Sequence, residues 1–112
     1  MTTPVSLPQT LTVQRGDDET ISIGPIRNAD GTLYNATGHT STLVVKSDRS
    51  VVDGAGTAYP GVITGDVTSG FFSTHSIPSA ALATAATVWH HAKFLTPSVK
   101  TFSYGNMLID AV

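Results

Sequence analysis

Glu occurs once in this chain, at Glu19, and Lys three times, while Thr and Ser together make up about a quarter of the residues. Helix surfaces in water are built largely from Glu, Lys, Gln and Arg, and this chain lacks the stock for them. Its Val, Ile and Thr fit a pleated surface instead. Gly, Pro, Asn and Asp recur at short intervals and cut the apolar stretches into strand-sized pieces. The expectation is an all-β domain, and 112 residues suit one domain.

Composition then removes several functions. Six Lys and Arg against eight Asp and Glu leave a net charge of −2. That gives no basic footprint for nucleic acid or anionic lipid. The absence of Cys excludes disulfides, thiolate chemistry and cysteine zinc sites. No apolar run reaches the length of a membrane span, and Met1–Thr10 has neither the basic nor the apolar part of a signal peptide.

Residues 1–9 read as an N-terminal extended arm and residues 10–112 as the domain. Pro4 and Pro8 cannot donate to a ladder, so this segment suits an arm or an edge. Its first eight residues reach roughly 26 Å when extended, enough for Val5 and Leu7 to lie across a neighbouring subunit.

Strands are expected at Thr10–Arg15, Thr20–Ile26, Ser41–Ser47, Gly61–Val67, Phe71–Ile77, Thr87–Leu95, Val99–Tyr104 and Met107–Val112. The turns are Arg15–Asp18, Asn28–Gly31, Asn35–Gly38 and a long loop, Arg49–Pro60. Phe71, Ser73, His75 and Ile77 share one face, opposite Phe72, Thr74 and Ser76. Val88, His90, Ala92 and Phe94 oppose Trp89, His91 and Lys93. Pro78–Ala86 is the one helical candidate, with Ser79 as cap, and is short enough to be a turn over the end of a sandwich. Seven to eight antiparallel strands with one short helical turn make a β-sandwich.

Four segments resemble the immunoglobulin-like domain at the N-terminus of tailed-bacteriophage baseplate upper proteins and related small phage structural proteins. "VQRGDDETISI" is similar to that family's opening strand, Gly-Asp turn and second strand. "NADGTLYNATGHTSTLVVKSD" resembles its Asp-Gly turn, Thr-Gly step and next strand. "GFFSTHSIPSAALATAATVWHHAKFL" resembles its Gly-led strand, short helix and aromatic strand, and "KTFSYGNMLIDAV" its closing strand. Asn35 and Ala36 stand where the family usually has an apolar residue, and Ala85, Ala86 and Thr87 where it often has Pro or Gly. The resemblance covers roughly residues 10–112. It implies an immunoglobulin-like sandwich, a virion location after assembly in the host cytoplasm, and other virion proteins, major capsid or tail, as partners. Baseplate upper proteins continue into a further domain that holds receptor-binding proteins, and nothing follows Val112 here. The expected role is accordingly a non-enzymatic accessory protein decorating the capsid shell, singly or as a homo-oligomer. A small tail or baseplate component is the alternative.

The remaining motifs have bland readings. Arg15-Gly16-Asp17 spells the integrin tripeptide but suffices as a turn, and Asn35-Ala36-Thr37 is a sequon in a polar loop. His39, His75, His90 and His91 offer no third metal ligand, although His75 and His90 face each other if their strands are neighbours. Asp17, Asp18, Glu19, Asp53 and Asp66 read as solvated turn residues without calcium-loop spacing. No nucleotide fingerprint or nucleophile elbow occurs, so no catalytic residue, cofactor or metal is expected. Trp89 reads first as core between the sheets. The opposite alternation puts Trp89 and His91 outside as partner anchors, and Phe71 and Phe72 pose the same question. The expected partner surface is Val5, Leu7, Phe72, Trp89 and His91. A free-standing carbohydrate or host-surface binding module would need exposed aromatics beside Asn, Asp or Gln. Trp89, Tyr59 and Tyr104 are its candidates, on separate segments.

Overall fold

Eight strands pair in a computed structural model that describes residues 7–110. They are β1 (Leu7–Pro8), β2 (Leu11–Gln14), β3 (Glu19–Ile23), β4 (Thr40–Lys46), β5 (Thr57–Asp66), β6 (Gly70–Ile77), β7 (Ala86–Thr96) and β8 (Lys100–Asp110). The ladder runs β1-β8-β7-β4-β5-β6-β3, with β2 also on β8. It folds into two layers because β5 changes partner midway. Thr57–Gly61 pairs with β4, and Gly61–Asp66 pairs with β6. One layer is β1/β2-β8-β7-β4 with the first half of β5, and the other is the second half of β5 with β6 and β3. Leu43, Ala92, Phe94, Phe102 and Met107 of the first layer meet Ile21, Ile23, Phe71 and Ile77 of the second in one core. The result is the expected all-β, immunoglobulin-like sandwich.

The strands are not all antiparallel as expected. β1 and β2 run parallel to β8. Residues 7–9, read as the end of the arm, follow β8 as well, and the Gln9 amide donates to the Tyr104 carbonyl at 2.7 Å. Gly105 permits this approach. Its φ is +150°, and a Cβ there would overlap the Gln9 carbonyl oxygen. Gly105–Asn106 therefore interrupts nothing, and the two closing strands of the sequence reading are one.

β5 begins four residues before the predicted Gly61. Each half of β5 has a single partner, so Pro60 sits on an edge, where its missing N–H is tolerated. A bulge at Ala92/Lys93 leaves Phe102 out of register, and its ring packs on Phe94 at 4.6 Å. The helical candidate is a 3-10 turn, Ser79–Leu82, which drops a buried Leu82 into one end of the sandwich. Ser79 does not cap it. Its amide instead donates to the Asp18 carboxylate at 2.7 Å, and the Leu82 carbonyl accepts from Gly16 at 2.9 Å. The other end is closed by Tyr34 and His39, whose rings pack on Phe94, and by buried Ala36.

Candidate functional site

β7 settles the question of Trp89. His90, Ala92 and Phe94 are wholly buried in the core. Alternation then puts Trp89, His91 and Lys93 on the outer face of the first layer, so Trp89 is not packed between the sheets. Register places Tyr104 opposite His91, Asn106 opposite Trp89 and Leu108 opposite Thr87 on that face, and β2 adds Thr12 beside Leu108. The Trp89 and Tyr104 rings lie 6.0 Å apart, tilted by 32°. Arg49 Cζ sits 5.5 Å from the Trp89 ring centroid, within cation–π range. Two aromatics from separate segments thus share one half-buried surface, flanked by exposed Asn106 and Thr87. Tyr59, the third aromatic considered, packs partly buried against the core.

Beside this surface the connection 47–56 folds back over the sheet. It buries Val44 and Lys46, which the alternation of β4 directs outward. Asp53 is the fastener. Its Oδ1 accepts from Lys46 Nζ at 3.1 Å, and its Oδ2 accepts from Lys93 Nζ at 2.9 Å and from His91 Nε2 at 3.1 Å. Lys46 also donates to the Val51 carbonyl at 2.6 Å. Hydrogen bonds from Lys93 and then Lys46 hold the Asp53 carboxyl far below the usual carboxylate range. Burial lowers the His91 pKa against the pull of Asp53, so at neutral pH the ring is a neutral N–H donor to the carboxylate. Asp53 is therefore not the solvated turn residue of the sequence reading. His91 is a nearly buried internal ligand of the loop, which leaves little of it for a partner.

Phe72 lies on the opposite layer. Phe71 points into the core, while Phe72 faces outward with Thr74 and Ser76, its ring against Gly24. The expected partner surface is thus split between two faces: Trp89 and His91 on one, Phe72 on the other. Val5 and the Leu7 side chain lie outside the described residues.

The histidines of the interior are also separate. His75 is on β6 and His90 on β7, strands that do not pair, so they do not face each other across a ladder. His75 Nδ1 bonds to the Tyr59 carbonyl at 2.9 Å, which makes Nδ1 the donor. Its Nε2 then accepts from Ser73 Oγ at 2.7 Å, and Ser73 accepts from Ser41 Oγ at 2.7 Å. This chain bridges the two layers beside Gly61, where a Cβ would lie 2.5 Å from His75 Cε1. A hydroxyl on an imidazole is the geometry of an activated nucleophile. Here the last acceptor is a backbone carbonyl, and Ser73 and His75 are sealed from solvent. His90 is equally buried, and neither ring nitrogen has a hydrogen-bond partner. Burial, stronger than the opposing Gly105 backbone, takes its pKa to about 4.

A cavity of ≈ 60 Å³ opens between Gln9, Phe102 and Ser103 on one side and Ile23–Arg27 on the other, enough for water rather than a substrate. Among the described residues no group of His, Asp or Glu could hold a metal ion, and no helix is long and apolar enough to cross a membrane. No known protein family and no curated protein matches the chain.

Proposed function

We propose that this chain is a non-enzymatic structural protein of a tailed-bacteriophage virion, an accessory protein docked on the capsid shell. The observation that carries the reading is the outer face of β3, β6 and the second half of β5. Thr20 and Ser22, Phe72, Thr74 and Ser76, and Val62 and Thr64 form three rows there with no charge before Asp66 at the hairpin end, whose carboxylate accepts from the Thr68 and Ser69 amides. Val62 is 65% exposed, and Ser22 and Thr74 already share a hydroxyl contact of 3.4 Å across the ladder. A flat surface of short hydroxyls and apolar groups loses little on leaving water. It suits close apposition to another protein rather than long-range steering. The resemblance to phage structural domains supports the same reading, and so does the sealing of Ser73 and His75 from any substrate. The alternative within the same class is a small tail or baseplate component.

The test is direct. Cryo-imaging of intact particles should give ordered density for this chain at symmetric shell positions, with the β3-β6-β5 face toward the shell. Thr74→Arg should keep the isolated fold and lose loading onto particles. Density confined to the tail would select the tail or baseplate alternative. Full loading of Thr74→Arg would overturn this face as the contact.

A further inference from the structure

Trp89, Tyr104, Arg49 and Asn106 sit on the layer opposite the β3-β6-β5 face, so whatever they do is independent of docking through that face. Their chemistry is specific. The two rings form a tilted pair 6.0 Å apart on a sheet, partly open to solvent. A pyranose ring presents axial C–H groups that pack on such aromatic faces, since these are apolar and electron-rich. Exposed Asn106, directly opposite Trp89 in register, supplies an amide that both donates and accepts.

Charge decides which saccharide. Asp53 already takes Lys46, Lys93 and His91, so those groups are spent. The Asp48 carboxylate next to Arg49 accepts from Ser50. Arg49 is exposed and forms no salt bridge among the described residues, while its guanidinium hovers 5.5 Å from the Trp89 ring centre. A guanidinium laid over an aromatic ring and free of a salt bridge among the described residues is a fork shaped for a carboxylate. We propose that this face binds a carboxylate-bearing saccharide. The carboxylate engages Arg49 where it lies over Trp89, the sugar ring packs on the Tyr104 side of the pair, and Asn106 reaches its hydroxyls. The ligand class is uronate or sialate glycans, which share this chemistry.

Trp89 is the only Trp in the chain, so its emission reports on this face alone. The purified full-length chain is titrated with galacturonate hexamer, with sialyllactose, with neutral cellohexaose and with sodium acetate. A saturable change in emission with one or both acidic saccharides is expected, and the arm that responds names the source. Cellohexaose should bind at least tenfold more weakly, and acetate should give no saturation. Arg49→Gln, an exposed change, should weaken the acidic ligand about tenfold and leave cellohexaose unaltered. Tyr104→Ala should weaken both, and saturation-transfer NMR should show the sugar C–H protons against aromatic protein signals. The proposal is overturned if neither acidic saccharide saturates the signal, if acetate reproduces it, or if Arg49→Gln binds as the parent does. A response only to purified virion shell protein would make this a protein contact and equally overturn it. Particle loading of Thr74→Arg is read separately, so failure here leaves the docking proposal standing.

Discussion

Replacing His90 by Leu should raise acid tolerance without harming the fold. His90 is wholly buried between the layers, and neither nitrogen is bonded. Its folded pKa is about 4, whereas an unfolded His titrates near ~6.5. The folded value is the lower one, so the unfolded chain takes the proton first. The contribution of this residue is therefore intact above about pH 6.5 and erodes as pH falls toward 4, where the erosion levels off. At 1.36 kcal/mol per pH unit the gap is worth roughly 3 kcal/mol. That is a large part of the roughly 5–15 kcal/mol that holds a domain together. Urea unfolding, followed by circular dichroism at pH 7.5, 6, 5 and 4, measures it. At pH 7.5 the variant should match the parent or exceed it by about 1 kcal/mol, because two unbonded nitrogens leave the core. At pH 4 it should retain roughly 3 kcal/mol that the parent has lost. His75, also held below its ordinary value by burial, titrates in both proteins and cancels in the difference, whereas the charge on neighbouring His91 contributes a minor part of the His90 shift. Parallel pH profiles, or a loss above about 1 kcal/mol at pH 7.5, would refute the assignment of His90 as a buried, unbonded, neutral ring.

Gly61→Ala should destabilise by about 3–5 kcal/mol, since a Cβ there overlaps Ser41 Oγ and presses on His75 and Ser73. Thermal unfolding would show it, and Ser41→Ala in the same chain should recover part of the loss. Asp53→Asn should cost about 1 kcal/mol at pH 7, the modest value reflecting a carboxylate 42% exposed. Because the Asp53 pKa is depressed, its contribution is present above the unfolded value and is lost progressively as pH falls below about 4 through the far lower folded value, so the gap between variant and parent should narrow steadily with acid. NMR titration should show the His91 pKa fall further in Asp53→Asn, because burial then acts unopposed.

What the sequence disclosed was whatever period two controls. The faces of β6 and β7 could be written down from Phe71–Ile77 and Val88–Phe94, and so could the shared side of Leu11 and Val13. Alternation alone does not say which face is inside. For β7 the polar-looking His90 is in the core and the large apolar Trp89 outside, the reverse of a hydropathy reading. His90 is tolerated inside as a neutral ring, and Trp89 is half-covered by Arg49 and Tyr104. The site stayed hidden because its members meet through register: Asn106 reaches Trp89, and Tyr104 reaches His91, only once β8 is one continuous strand. Ending one strand at Tyr104 and starting another at Met107 broke that strand. Asp53 was equally opaque, because its three partners lie on β4 and β7, seven to forty residues away.

The misread start of β5 shows how the two layers are held in place. Pro60-Gly61 looks like a strand boundary, and in one sense it is, because there the strand leaves β4 for β6. A strand that changes sheets brings two backbones and their side chains unusually close at the crossing, and only a residue without Cβ fits. That crowding draws Ser41, Ser73 and His75 into one chain that ends on the carbonyl of Tyr59, one residue before Pro60. The bonds are directional, so sliding either layer by one residue would strand buried hydroxyls and a ring nitrogen, each at about 1–3 kcal/mol. Apolar contacts such as Leu43 and Ile77 supply attraction but tolerate slippage. The polar chain fixes the register of β4 against β6 across the core. Through β4 it therefore fixes where β7 presents Trp89, as well as the alignment of the hydroxyl-bearing rows on the opposite face.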